Sequence, residues 1–343
     1  MINSCRELRS SSRGITMKLS RRKFLYVTAA TGAFPSNSRF AQAQTYPSRP
    51  VRIIVGFPPG GAPDIVARML GEWLSARLGQ SFVIENRPGA GTNLATEMVV
   101  RAAPDGYTLL LMALPGAITS PILYGNSNFD VVRDIAAVAS INTNPFVMVV
   151  NPSFPAKTVS EFIAYAKANP GKINVASTGT GNLTYLSAEL FRMMAGVDMV
   201  QVPSRGEAHA QIDLFSDRSQ VMFDPVFTSL EYIRSGKLRA LAVTGAKRLD
   251  ALLPGVPPIG DFVPGYDVEG FLGIGALKDT PADIIDKLNQ AVSAALADPN
   301  INQRLSDLGS PQVAMAPAQF HQVIVHETEK WGKVIRAAGI KAE

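Results

Sequence analysis

Short apolar runs alternate with amphipathic stretches along the chain from Val51 onward. The first run, VRIIV at residues 51–55, ends in the glycine-rich turn GFPPGG. The stretch after this turn places apolar residues at spacings of three and four up to Gly79, which indicates an amphipathic helix with a glycine C-cap. Repetition of this order predicts an α/β fold with mainly parallel sheets covered by helices on both faces.

The same pattern predicts the remaining elements. The string TPAD at residues 280–283 resembles a helix start, with a capping threonine, a proline at the first position and an acid in the first turn. Predicted strands lie at residues 51–55, 82–84, 107–112, 146–150, 173–176, 199–202, 221–223, 238–244 and 271–276. Predicted helices cover residues 65–78 and 93–102, and others begin near residues 159, 184, 209, 280 and 317.

The length of 343 residues suggests two domains of about 150 residues each. Two extended passages, near residues 139–147 and 267–273, are predicted to carry the chain between two lobes, with the last helices returning to the first lobe. The predicted division is residues 44–143 for the first part of lobe 1, residues 144–269 for lobe 2, and residues 270–343 for the second part of lobe 1.

The N-terminus carries an export signal pattern. The string SRRKFL at residues 20–25 opens an apolar stretch, and AQA at residues 41–43 supplies the small-x-small pattern of a signal-peptidase site. The paired arginines resemble a twin-arginine signal, although Tyr26 stands where lysine is common, so Sec export stays an alternative. Residues 1–43 are therefore predicted to be a signal peptide cleaved near Ala43, which implies a periplasmic protein.

Charge and cysteine content exclude several classes of function. Eight of the 33 basic residues but only one of the 28 acidic residues precede residue 44, so the remaining chain has a net charge of −2. Without a basic face it is not predicted to bind nucleic acid. The one cysteine, Cys5, lies in the predicted signal peptide, and three histidines offer little for a metal site, so no metal or cofactor is predicted. Met17 is an alternative start.

Three glycine-rich turns follow predicted strands and precede predicted helices: PGG at residues 59–61, PGAG at 88–91 and STGTGN at 177–182. Ligands bind at such loops in open parallel sheets, where helix N-termini present unpaired N–H groups and glycine lets the backbone come close. Two such turns facing each other are predicted to hold an anion. The alternative is that the glycines only make tight turns.

No catalytic constellation is visible in the sequence. Neither Gly-x-Ser-x-Gly, Gly-Lys-Ser/Thr nor His-Glu-x-x-His occurs. The chain is therefore predicted not to be an enzyme. A periplasmic enzyme, such as a hydrolase or a transferase, that uses Asp64 or Asp224 as its base is the alternative.

A series of motifs in order resembles the Bug family, the extracytoplasmic receptors of tripartite tricarboxylate transporters. The likeness covers nearly all of the predicted mature chain. The motifs are FPPGGAPD at residues 57–64, LGQ at 78–80, ENRPGAG at 85–91, PDGYTLL at 104–110, ASTGTG at 176–181, ELF at 189–191, GKLRALAVT at 236–244 and TP at 280–281.

The resemblance implies a two-lobed periplasmic-binding-protein fold of the Venus-flytrap, type II-like kind, with two crossings between the lobes. It also implies a small carboxylate ligand, membrane permease subunits as partners, and a monomer. A receptor that presents its ligand to a membrane sensor is an alternative. The implied ligand-binding residues are Phe57, Pro59, Gly60, Gly61, Asp64, Ser177, Thr178, Gly179, Thr180, Gly181, Asn182, Tyr185 and Asp224.

Two positions depart from the family pattern. Tyr185 stands where histidine is usual, and Ser204 replaces a tyrosine in the string VPSRG. Tyr185 could stack on an aromatic ligand and Ser204 could widen the pocket, or both could lie outside the ligand contacts. Arg87 and Arg205 are candidates for attracting an anion, with a structural role as the alternative for Arg87.

Overall fold

Apolar runs of about five residues form the strands that the alternation predicts. The side chains of Ile53, Ile54 and Val55 are all fully buried, because layers cover both faces of the sheet. The computed structural model describes residues 46–125, 128–204 and 206–341, and nine strands lie within them. They are β1 (Val51–Val55), β2 (Phe82–Asn86), β3 (Thr108–Leu114), β4 (Ile135–Val150), β5 (Ile173–Ser177), β6 (Met199–Pro203), β7 (Val221–Pro225), β8 (Arg239–Val243) and β9 (Glu269–Leu277).

Amphipathic stretches between the strands form helices. The first, α1 (Ala62–Leu78), packs Val66, Leu70 and Leu74 against the sheet and ends at Gly79, whose φ of 71° is left-handed. The other described α-helices are α2 (Asn93–Val100), α3 (Gly116–Tyr124), α4 (Val131–Asp134), α5 (Val159–Ala168), α6 (Leu183–Ala195), α7 (Glu207–Phe215), α8 (Val226–Arg234), α9 (Ala282–Ala297), α10 (Pro299–Asp307) and α11 (Pro317–Ala338).

Strand β4 joins two sheets. The strand order is β2-β1-β3-β9-β4-β7-β5-β6, with β8 also paired to β4. β1 runs parallel to β2 and β3, and β5 runs parallel to β6 and β7, whereas β4 and β9 pair antiparallel with all their neighbours. Residues 135–145 of β4 pair with β9, and residues 146–150 pair with β7 and β8. One strand therefore passes from the first sheet into the second.

The chain crosses back beside that strand. The backbone N–H of Val268 donates to the carbonyl of Thr244, next to β8, and Glu269 then pairs with Pro145 in β4. The fold is thus two-lobed α/β with two adjacent crossings. The predicted boundaries at residues 143/144 and 269/270 stay a proposal for where the lobes divide.

The last long helices pack beside β4. α9 lies against β4 and α1, and α11 lies against β4 and α3. Phe320 of α11 comes so close to β9 that a Cβ at Gly273 would lie 2.3 Å from its Cζ, which explains a glycine in this strand. The prediction of a threonine cap at residue 280 is wrong. Pro281 is the N-cap, while Thr280 Oγ1 donates to the carbonyl of Leu277 at 2.6 Å.

The predicted signal peptide and Arg205 lie outside the described residues. Among the helices that the structure describes, none combines the length and the apolar composition needed to cross a membrane.

Candidate ligand-binding site

A cleft of about 870 Å³ opens where the two sheets meet. It is bordered by residues at the carboxyl ends of β1, β2, β3, β5, β6 and β7, together with residues of β4 and β9 at the crossings. This is the place where open α/β sheets bind ligands. Glycine, proline and apolar side chains make up most of the border, and Glu207 is the one ionisable side chain among the described residues there.

The loop after β1 forms one wall of the cleft. Phe57, Pro59, Gly60 and Gly61 all border it, and Gly61 is the N-cap of α1 without a side-chain cap. Gly60 has a φ of 87°, so a glycine is needed here for the loop to turn toward the helix. In the first turn of α1, Ala62 and Asp64 carry N–H groups without intrahelical partners, whereas Pro63 has no N–H.

Asp64 holds this loop in shape from behind. The residue is 2% exposed and does not border the cleft. Its Oδ2 accepts from the N–H of Gly60 at 2.9 Å and from Arg68 Nε at 3.0 Å, and its Oδ1 accepts from Asn86 Nδ2 at 2.8 Å. The same Asn86 nitrogen donates to the carbonyl of Phe57 at 3.0 Å. Asp64 thus ties β2 and the loop to the start of α1.

The hydrogen bonds around Asp64 favour its ionised form. Burial acts to raise the pKa of this carboxyl group, but the donors on Arg68, Gly60 and Asn86 outweigh burial and lower the pKa below its usual value. Because its two oxygens accept from Gly60, Arg68 and Asn86, Asp64 fixes the shape of the loop from behind the cleft.

The loop after β5 forms the opposing wall. Thr178, Asn182, Leu183 and Thr184 border the cleft. Thr184 Oγ1 accepts from the N–H of Thr178 at 2.9 Å, and Asn182 Nδ2 donates to the carbonyl of Thr178 at 3.1 Å. Asn182 is the N-cap of α6 but makes no side-chain cap. The start of α6 therefore also opens onto the cleft.

A hydrogen bond beside the cleft links α3 to the loop after β5. Thr119 Oγ1 of α3 donates to the carbonyl of Gly181 at 3.0 Å. Gly181 has a φ of 85°, and a Cβ at this position would lie 2.2 Å from Leu123 Cδ1. The close approach of α3 to the loop requires glycine here.

Asp224 lies at the end of β7, fully buried behind the cleft surface. Its Oδ2 accepts from Gln211 Nε2 at 3.0 Å, Thr228 Oγ1 at 3.0 Å and Ser229 Oγ at 2.5 Å. Burial raises the pKa of Asp224, although these donors act to lower it. Gln211 and Thr228 border the cleft, so Asp224 orients two of the side chains that line it.

Glu207 was missed in the sequence. It is the first residue of α7, borders the cleft, and forms a carboxyl–carboxylate pair with Asp224. Burial and the charge of Asp224 raise the pKa of Glu207 to about 8. The signal that could have found it is an acid placed directly after Gly206, the glycine that follows β6.

The remaining predicted residues lie outside the border of the cleft. Ser204 Oγ donates to Asp213 Oδ2 at 2.8 Å, and Arg87 pairs with Glu85. The predicted residues that border the cleft are Phe57, Pro59, Gly60, Gly61, Thr178 and Asn182. Those that do not are Asp64, Ser177, Gly179, Thr180, Gly181, Tyr185 and Asp224.

The described residues contain no group of three or more His, Cys, Asp or Glu side chains able to hold a metal ion. A second cavity of about 380 Å³ lies between β9 and α11. Its lining includes Asp267, Glu269 and Lys330.

Solved structures of similar proteins share this fold. Rpa4515 of R. palustris, solved with adipate, is 33% identical with a TM-score of 0.79, over 87% of this chain and 100% of that chain. The periplasmic binding protein BugD is 32% identical with a TM-score of 0.77, over 87% and 100%. MatC (Rpa3494) from Rhodopseudomonas palustris, solved with bound malate, is 33% identical with a TM-score of 0.76, over 84% and 100%.

The two lobes, the crossings and the cleft between them define a solute-binding protein of the periplasmic class. Residues 66–340 match the family described as "Tripartite tricarboxylate transporter family receptor". The chain belongs to this family, and the resemblance to the Bug proteins is confirmed.

Proposed function

We propose that this protein captures a small organic carboxylate in the cleft, outside the cytoplasm, and delivers it to the membrane subunits of a tripartite transporter. The observation that carries the proposal is that the N-termini of α1 and α6 both open onto one cleft. Each helix N-terminus carries about half a positive charge and unpaired N–H groups, so two of them hold an anion without a cationic side chain. Adipate in Rpa4515 and malate in MatC support a carboxylate as the ligand.

The proposed contacts are the backbone of the loop after β1 and the groups at the start of α6. Phe57, Gly60 and Gly61 line the first side, where Gly60 allows a close backbone approach while its own N–H donates to Asp64, and Thr178 and Asn182 line the second. The two sides belong to different lobes, so a ligand that touches both stabilises the closed arrangement. The membrane partner would recognise that closed state.

Binding is proposed to be reversible, without catalysis. Both oxygens of Asp64 accept hydrogen bonds, Oδ2 from Gly60 in the loop and Oδ1 from Asn86 in β2. Asp224 is fully buried and accepts three at one oxygen. Neither acid is placed to act as a base on a ligand in the cleft.

Isothermal titration against a library of small carboxylates tests the binding, with NMR of the recovered compound as the control. We expect at least one carboxylate to bind tightly and to be recovered unchanged. Consumption of the compound would favour the hydrolase, and a library without a single binder would refute the proposal.

Export and transport are tested in cells. We expect the mature protein in the periplasmic fraction with its N-terminus near Gln44, and loss of carboxylate uptake when the gene is deleted. Replacing Arg21 and Arg22 by lysine should block export by the twin-arginine route and leave Sec export intact.

A further inference from the structure

Two carboxyl groups meet beneath the cleft at the start of α7 and the end of β7. Glu207 Oε1 and Asp224 Oδ1 are both buried, and neither accepts a hydrogen bond from any N–H or O–H group of the described residues. Asp224 Oδ2, in contrast, accepts three. A buried carboxylate oxygen that lacks a donor is costly, so these two unsatisfied atoms need an explanation.

A single proton between the two carboxyl groups gives both oxygen atoms a hydrogen bond. Two ionised carboxylates repel each other, whereas a carboxylic acid donates to a neighbouring carboxylate. The three donors at Oδ2 stabilise the ionised form of Asp224, so the proton belongs on Glu207, whose hydroxyl donates to Asp224. Among the described residues, Asp224 is the titratable group that acts on Glu207. Thr228 on α8 is neutral but hydrogen-bonds to Glu207 and acts to lower its pKa, which burial and Asp224 outweigh. Gln211 on α7 and Ser229 on α8 are neutral and contact Asp224.

Resting on the proposed function, we infer that the Glu207–Asp224 pair holds one shared proton and sets the ligand class: a carboxylate whose far end carries a hydrogen-bond donor, not a second carboxylate. With its hydroxyl committed to Asp224, Glu207 offers only its carbonyl-type oxygen, which accepts. The pair also carries one negative charge, which repels an anionic group and attracts a hydroxyl, amide or ammonium donor. The carboxylate of the ligand then lies at the N-termini of α1 and α6.

Matched ligands test this inference by isothermal titration at pH 7. The probes are α,ω-dicarboxylates, ω-hydroxy acids and ω-amino acids with four, six or eight carbons, for example adipate, 6-hydroxyhexanoate and 6-aminohexanoate. We expect the hydroxy and amino acids to bind the wild-type protein at least tenfold more tightly than the dicarboxylate of the same length.

Two variants separate the shared proton from the mere presence of a side chain. Glu207→Gln donates an N–H to Asp224 and keeps a carbonyl oxygen, so it should retain the wild-type preference at pH 7. Glu207→Leu has no acceptor and should lose the advantage of the hydroxy and amino acids. Thermal unfolding establishes that both variants are folded.

The pH dependence supplies a second readout. Ionisation of Glu207 adds a second negative charge to the pair, so wild-type affinity for the dicarboxylate should fall severalfold between pH 7 and pH 9. Glu207→Gln should stay flat over the same range.

The outcomes distinguish the two proposals. If no compound of the series binds while another carboxylate of the library does, this inference is wrong and the proposed function stands. If nothing in the series or the library binds, both fall. If a dicarboxylate binds as tightly as its hydroxy and amino analogues, or if Glu207→Gln disturbs binding at pH 7 as much as Glu207→Leu, only the inference about the pair is wrong.

Discussion

Replacing Asp64 by asparagine tests whether this side chain shapes the loop at the cleft. Three donors converge on the two carboxylate oxygens: Gly60 N–H and Arg68 Nε at Oδ2, and Asn86 Nδ2 at Oδ1. An asparagine amide has one oxygen and one NH₂ group. In either orientation of the amide, its NH₂ group faces at least one of these donors. A buried hydrogen bond is then replaced by a repulsive donor–donor contact.

The magnitude follows from the two buried hydrogen bonds. Arg68 is half exposed, so its ion pair with Asp64 contributes under about 1 kcal/mol. A hydrogen bond to a charged group is worth about 1.5–3 kcal/mol, and Asp64→Asn loses one and weakens the other. We expect the free energy of unfolding to fall by about 2–4 kcal/mol, and carboxylate affinity to fall at least tenfold because the loop after β1 moves.

Urea unfolding followed by circular dichroism at pH 7 measures the first effect, and titration calorimetry measures the second. Arg68→Met is the matched control, because it removes the exposed partner and leaves the bonds to Gly60 and Asn86 in place. Since the pKa of Asp64 is lowered, its stabilisation is present above pH 4 and is lost as the pH falls through the folded-state pKa. A change below about 0.5 kcal/mol in Asp64→Asn would refute the positioning role.

Three further predictions follow from single contacts. Thr119→Val removes the donor to the Gly181 carbonyl, so carboxylate affinity should fall severalfold and small-angle scattering should show a larger radius of gyration without ligand; an unchanged radius contradicts this. The wild type should lose stability as the pH rises from 5 to 8, because folded Glu207 holds a proton that the unfolded chain releases near pH 4.5. Glu207→Gln does not titrate, so its urea midpoint should rise relative to that of the wild type over this range. The same difference between the two midpoints at pH 5 and at pH 8 would contradict this. Trp331→Phe leaves buried Glu327 without its 2.7 Å donor and should cost about 2 kcal/mol in urea unfolding with ligand affinity unchanged; a loss below 0.5 kcal/mol argues against the bond.

Local patterns predicted part of every strand, because most strands contain a short apolar run bounded by a turn. The 16-residue β4 was predicted only over residues 146–150, and β2 and β6 are only partly buried. The helices α3, α4, α8 and α10 were not predicted, and α4 is only four residues long. α3 contains Pro121 and α8 directly follows Pro225, and both residues weaken a helix prediction. α10 buries only Ile301 and Leu305, too few for a clear period, although its N-cap Asp298 is a usable start signal.

The candidate site was likewise predicted only in part from the sequence. Glycine turns before helices marked the loops after β1 and β5, since that signal is local. The positions of Asp64 and Asp224 behind the surface depend on partners from other elements, such as Asn86 in β2 and Gln211 in α7. Glu207 escaped notice because its environment is created by Asp224, which lies 17 positions along the chain and reaches it only through the packing of α7 on β7.

A cleft that holds its anion through backbone N–H groups leaves the choice of ligand to few side chains. Helix N-termini bind any carboxylate to a similar degree, because they do not depend on the residues that line the walls. Loss of loop shape in Asp64→Asn should therefore weaken all carboxylates by a similar factor. Loss of the acceptor in Glu207→Leu should instead change their rank order while the best affinity stays comparable. Screening both variants against one carboxylate library separates these effects. If Asp64→Asn changed the rank order of the ligands and Glu207→Leu weakened all of them equally, the roles given to the two residues would be reversed.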